Sequence, residues 1–182
     1  MKKTLFSMGY VVVLGFGLVL SLAWSVAAQD ANEKKKPSDR TVRVIMGWAF
    51  AGIPETVKRG GEDVKLDRAN PKDFYIPIDD ARRVIRVSIR SANADLCGLN
   101  EMNARNFLKL MSSEKALKKW TPNQITFIKQ LHIATSLVMT GSHKVGDDVN
   151  KKDDGADDAR NKYKCSAEER ERIQAAIEAY IK

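Results

Sequence analysis

The sequence predicts an all-α fold: a single-domain helical bundle of about four to six helices with one small β-hairpin near 57–64, stapled by one disulfide. Three observations carry that expectation. Apolar residues recur at three- and four-residue spacing through much of the chain beyond residue 40. Ser, Thr or Asp stands ahead of these stretches, where the free N–H groups of a first helical turn need an acceptor, and glycines close several of them. The two cysteines, Cys97 and Cys165, fall beside the ends of two such stretches.

The N-terminus reads as an address. Lys2 and Lys3 precede an uncharged, Val/Leu/Gly-rich run from Leu5 to Trp24, and Val26-Ala27-Ala28 offers the small residues of a processing site. Residues 1–28 are therefore expected to be a cleavable signal peptide, delivering a chain from Gln29 to a bacterial periplasm or to the outside. The run is long enough for a spanning helix, which takes about 20 apolar residues. Its glycines and serines and the cut-site triplet favour cleavage over an anchor in the inner membrane. No cysteine lies at the cut, which argues against a lipoprotein. Residues 29–40 are charged, lack apolar periodicity and read as a disordered linker to a helical domain over 41–182.

Thr41 to Ile53 carries Val42, Ile45, Met46, Ala49 and Ile53 at helical spacing, with Ser38 as a cap and Pro54 as a stop. Val57 to Val64 reads as a hairpin turning at Gly60-Gly61, a register that sets Lys58 against Asp63 and Val57 against Val64. A phosphate-cradling loop would need the Lys-Ser/Thr and the helix that do not follow these glycines. Asn70-Pro71 and Ile76-Pro77 mark an extended crossing that tucks Phe74, Tyr75 and Ile76 against the core. Asp79 is expected to cap the next helix, whose stripe is Ala81, Val84, Ile85, Ser88, Ala92 and Leu96, ending at Gly98.

Glu101 to Met111 reads as a shorter helix burying Met102, Phe107, Leu108 and Met111. A turn at Ser112-Ser113 would then lead to another helical turn through Ala116, Leu117 and Trp120. Thr121-Pro122-Asn123-Gln124 is a capping box with proline in the first helical position. The helix it opens, to about Thr140, is apolar around most of its circumference and is expected to be the central one. Residues 142–164 are polar and expected to be a mobile loop. Their aspartates do not fall at the positions of a calcium loop. Ser166 and Glu169 form a second capping box for a terminal helix over 166–181, which buries Ile173, Ala176, Ile177, Tyr180 and Ile181.

Composition limits function more than it names one. The chain carries 31 basic and 23 acidic side chains, and the signal would remove only Lys2 and Lys3 from that balance. A net positive charge favours acidic partners or an anionic surface through long-range attraction. The compartment and the lack of a recognition motif argue against nucleic acid. An even cysteine count in an oxidising compartment reads as one Cys97–Cys165 bond, worth about 4 kcal/mol in the chain-entropy picture. Thioredoxin-type exchange and covalent haem are excluded, since there is no Cys-x-x-Cys.

Four arginines form the one candidate binding feature: Arg82, Arg86 and Arg90 at four-residue steps, with Arg83 beside them. His132, between Leu131 and Ile133, reads first as a core residue, and an enzyme built on it needs a carboxylate partner. His143 lies eleven residues on, not at the spacing of a helical metal pair. Trp48, Trp120, Phe50, Tyr75 and the methionines Met102, Met111 and Met139 read as packing. No cofactor and no metal site is predicted. In size and style the chain resembles small periplasmic helical proteins with one disulfide, such as acid-stress chaperones and immunity proteins. No motif carries that resemblance, so no residue role comes with it. The expectation is a non-enzymatic binding protein outside the cytoplasm, with an envelope-stress chaperone, an immunity-type inhibitor or a His132 enzyme as alternatives. Once the signal is removed it is not expected to be an integral membrane protein.

Overall fold

The structure is a computed structural model that describes residues 36–141 and 163–182. The predicted signal (1–28), most of the predicted linker (29–40) and all but the last two residues of the polar segment 142–164 lie outside the described residues, as does His143. Within them the chain forms α1 (Asp39–Ala51), the strands β1 (Thr56–Arg59) and β2 (Glu62–Lys65) and a short 3-10 turn (Pro71–Asp73). Four more helices follow: α2 (Ile78–Leu96), α3 (Asn100–Ala116), α4 (Pro122–Met139) and α5 (Ala167–Ile181). The mostly helical fold with one antiparallel hairpin is the one the sequence predicts.

Local chemistry sets most of the boundaries. Ser38 Oγ accepts from the Thr41 N–H and opens α1 at Asp39, inside the stretch expected to be linker. The hairpin has the expected register, Val57 opposite Val64 and Lys58 opposite Asp63. Gly60 and Gly61 both take positive φ, +62° and +92°, which the two-residue turn requires and which side chains resist. At α4, Thr121 accepts from the Gln124 N–H while the Gln124 side chain accepts from the Thr121 N–H. Ser166 accepts from the Glu169 N–H and opens α5.

Several expectations need correction. Helix α2 begins at Ile78 behind Pro77, so Asp79 is not its cap; Asp79 and Asp80 lie in the first turn, where carboxylates complement the helix dipole. Helix α3 runs unbroken through Ser112-Ser113, since Ser112 Oγ donates back to the Lys109 carbonyl at 3.0 Å and leaves the backbone helical. Its buried face is Met102, Asn106, Leu110, Met111 and Glu114, whereas Leu108 is 64% exposed and Phe107 half-buried. The buried stripe alternates apolar with polar residues at four-residue steps, so a hydrophobic pattern misses it.

The central helix is α2, not α4. It packs against all four of the other described helices and buries Ala81, Val84, Ile85, Val87, Ser88, Ser91, Ala92 and Ala94. Its small residues let neighbours approach closely, which is how a helix of modest hydrophobicity takes the middle position. Helix α4 buries Phe127, Ile128, Leu131, His132 and Thr135 against α1, α2 and α3, with Leu137 and Met139 outward. The main core joins α1–α4 with Ile53, Leu66, Phe74 and Ile76; Phe50, Tyr75 and Phe127 stack edge to face along it at centroid distances of 5.3–5.6 Å. A second, smaller cluster is made by Ala94, Cys97, Met102, Ile173 and Ile177, where α5 covers the C-terminal end of α2 and the start of α3. Cys97 and Cys165 are bonded there, as predicted. Ala176 is exposed, and Tyr180 and Ile181 are half-buried.

Candidate functional site

The arginine stripe is where the sequence placed its candidate site, and the fold divides it. Arg82 is turned along α2 to the N-terminus of α1, where it bonds the carboxylates of Asp39 and Asp79 and donates to the Pro37 carbonyl at 3.1 Å. Arg83 reaches the other way. It grips Glu114 of α3 through both carboxylate oxygens and donates to Asp80 at 2.9 Å. Arg90 lies over the Tyr180 ring, 5.6 Å from its centroid, and so faces α5. Of the four, only Arg86 is exposed, and among the described residues no ion pair or hydrogen bond joins it.

Glu114 anchors this end of the bundle. Its side chain is 0% exposed, and besides Arg83 it accepts from Trp120 Nε1 at 2.8 Å. A buried carboxylate is tolerable only when its oxygens are so satisfied. The bond to Glu114 holds the Arg83 guanidinium charged well beyond its ordinary range. Burial alone would push the Asp80 carboxyl up, but the bonds from Arg83 and from Lys119, 3.0 Å away, outweigh it and hold it below the usual carboxylate range. Lys119 also sits 4.2 Å above the Trp120 ring. The turn between α3 and α4 is thereby fixed to the start of α2.

The same turn shows its other side to solvent. Lys115, Ala116, Leu117, Lys118 and Lys119 are all exposed, and among the described residues no ion pair joins Lys115 or Lys118. Lys118 has φ +52°, the sole non-glycine residue with positive φ among those described. Sequence reasoning placed a helical turn here and gave no role to these lysines. The signal was present in the Lys-Ala-Leu-Lys-Lys run itself, four of its five residues being cationic or strongly apolar.

His132 lies inside. It is 6% exposed, its ring is 4.8 Å from that of Phe107, and its Nε2 is 2.9 Å from Ser91 Oγ. Ser91 Oγ also accepts from Asn106 Nδ2 at 2.8 Å, which links His132, Ser91 and Asn106 in one buried chain of hydrogen bonds. Asn106 Nδ2 donates also to the Val87 carbonyl, while its Oδ1 has no partner among the described residues. Burial pushes the His132 pKa down to about 4. Among the described residues no carboxylate hydrogen-bonds to the ring, so this is a neutral polar node tying α2, α3 and α4 together. A shallow cleft of about 400 Å³ lies elsewhere, between Phe50, Glu55, Lys65, Leu66 and Arg68. There Arg68 donates to the carbonyls of Phe50 and Ala51 and closes the C-terminus of α1.

A metal could meet donors only at Cys97, Cys165 and Glu169 among the described residues, and there the sulfurs are bonded to each other. Glu169 is engaged by the Tyr163 hydroxyl, a bond that pushes the phenol up and that replaces the returned half of the predicted capping box. Among the described residues no helix is long and apolar enough to cross a membrane. No protein-family model matches the chain, and no characterised protein or solved structure matches it either.

Proposed function

We propose that this chain is a non-enzymatic binding protein of an oxidising compartment outside the cytoplasm, most simply a bacterial periplasm, and that it holds an anionic partner on its cationic surface. One observation carries the reading: internal pairing of Arg82 and Arg83 separates structural from available charge. Of the stripe, Arg86 remains outward on α2, and Lys115 and Lys118 are among the other exposed cations that no ion pair joins among the described residues. Arg82 and Arg83 are withdrawn from the stripe as contact residues, since they hold the bundle together. The disulfide and the export signal expected at 1–28 support that choice of compartment. His132, enclosed and neutral, serves the interior.

The test uses polyglutamate as a defined polyanion. Its binding to the protein should weaken at least tenfold in an Arg86→Glu/Lys115→Glu double variant with unchanged circular dichroism, because exposed charges act mainly through long-range attraction. Unchanged affinity in that folded variant defeats the proposal.

A further inference from the structure

We infer that the turn from Lys115 to Trp120 seats this protein on the headgroup layer of an anionic bilayer, with Leu117 entering the acyl boundary. The inference rests on the reading above and gives its anionic partner a class. Leu117 is 51% exposed at the outer edge of the turn, and Lys115, Lys118 and Lys119 surround it in the chain. An apolar side chain among lysines suits an interface where the leucine reaches hydrocarbon while the ammonium groups stay at the phosphates. A protein partner would need acidic groups and a pocket shaped to this one leucine, whereas an anionic bilayer offers phosphates and hydrocarbon together anywhere on its surface.

The backbone adds an independent observation. Lys118 follows the C-cap of α3 with φ +52°, the left-handed position that ends a helix and that glycine occupies without strain. A lysine there gives up stability and gains an outward charge, and strain of that kind is concentrated at functional surfaces. The turn is also held in place from beneath. Glu114 binds Trp120 Nε1, and Asp80 binds Lys119 and Arg83, so the acidic groups nearby are already satisfied and leave Lys115 and Lys118 free to meet phosphates.

The experiment is vesicle co-sedimentation of the chain from Gln29, which keeps every described element and both core clusters, with its fold checked by circular dichroism. Vesicles containing phosphatidylglycerol should carry the protein down; pure phosphatidylcholine should not, and ~0.5 M salt should release most of it. Lys118→Gly should leave the melting temperature equal or higher yet weaken binding about fivefold, the share of one lysine at such a surface. Leu117→Ser should weaken it about tenfold. Leu108→Ser removes an even more exposed leucine from the middle of α3 and should change nothing. Equal binding to both vesicle types, an unaffected Lys118→Gly protein, or equal losses at Leu117 and Leu108 overturns the inference. Polyglutamate separates it from the broader reading. Binding to polyglutamate without vesicle binding removes the bilayer and keeps the anionic partner, and loss of both removes both.

Discussion

The bundle around α2 and the corner closed by α5 are stabilised differently, although α2 runs through both. In the main core, Phe74, Phe127, Ile85, Leu110, Ile128 and Leu131 are fully buried, and elements from α1 to α4 contribute to one continuous cluster. In the corner, α5 buries only Ile173 and Ile177, and the opposing surface is Ala94, Met102 and Cys97. One region has burial enough to hold itself. The other is held by a covalent bond between residues 68 apart in sequence, placed at the mouth of the smaller cluster. A short amphipathic helix at the end of a long polar connection can therefore be kept in place with little hydrophobic surface.

The contrast is broken most directly from the larger side. Phe127→Ala should cost about 3–5 kcal/mol, since it opens a cavity among fully buried neighbours. Urea denaturation followed by tryptophan fluorescence and by far-ultraviolet circular dichroism should show one coincident, earlier transition. A cost below about 1 kcal/mol would mean that the main core is not the unit described.

Next comes the bond itself. Removing it with Cys97→Ser/Cys165→Ser should cost about 2–4 kcal/mol, but the loss should be local. Hydrogen exchange should rise across α5 and the first turns of α3 while α4 keeps its protection. Uniform loss of protection would show that α5 is integral to the main core, through Tyr180 and its contact with Arg90.

Much of this division was legible in the sequence because it rests on local chemistry. Ser38, Thr121 and Ser166 cap helices with their own backbones, Gly60-Gly61 sets a register within eight residues, and the cysteines are a pair by count. The fate of the arginine stripe was not legible. Arg83 meets Glu114 across 31 residues and Arg82 meets Asp39 across 43, and spacing along α2 shows only that arginines share a face, not what is packed against it. Glu114 and Asn106 were missed for a related reason. A hydrophobic pattern assigns polar residues to solvent, whereas these are buried because partners on α2 satisfy them. Leu108 is the converse, an apolar residue at helical spacing on the wrong face.

The interior node of the main core gives the contrast a pH dependence. The unfolded His132 imidazole takes its proton near 6.5, whereas the native one does so only near 4. Between those values the unfolded state binds more protons, so native stability should fall as pH drops from about 6.5 towards 4 and then stop falling on this account. The loss from this group is up to about 3 kcal/mol. Urea midpoints measured against pH should show this decline in the parent protein and lose it in His132→Gln, a neutral replacement that can still meet Ser91. Parallel curves for the two proteins would assign the acid sensitivity elsewhere.

The smallest effect is the sharpest probe of the difference between the regions, because the same chemical deletion can be made in each. Thr121→Ala and Ser166→Ala each remove a side-chain acceptor from a helix N-terminus, a change worth about 1 kcal/mol. In α4 the cap opens a helix whose residues are distributed through the main core, so its loss should lower the global melting temperature. In α5 the bond at Cys165 holds the chain immediately before the cap, and little of the helix beyond is buried. The loss there should appear as faster amide exchange in the first turn of α5, with the global transition unmoved. If the two variants instead lower the melting temperature equally, α5 unfolds together with the main bundle. The disulfide would then reinforce a helix already held by packing rather than substitute for packing that is missing.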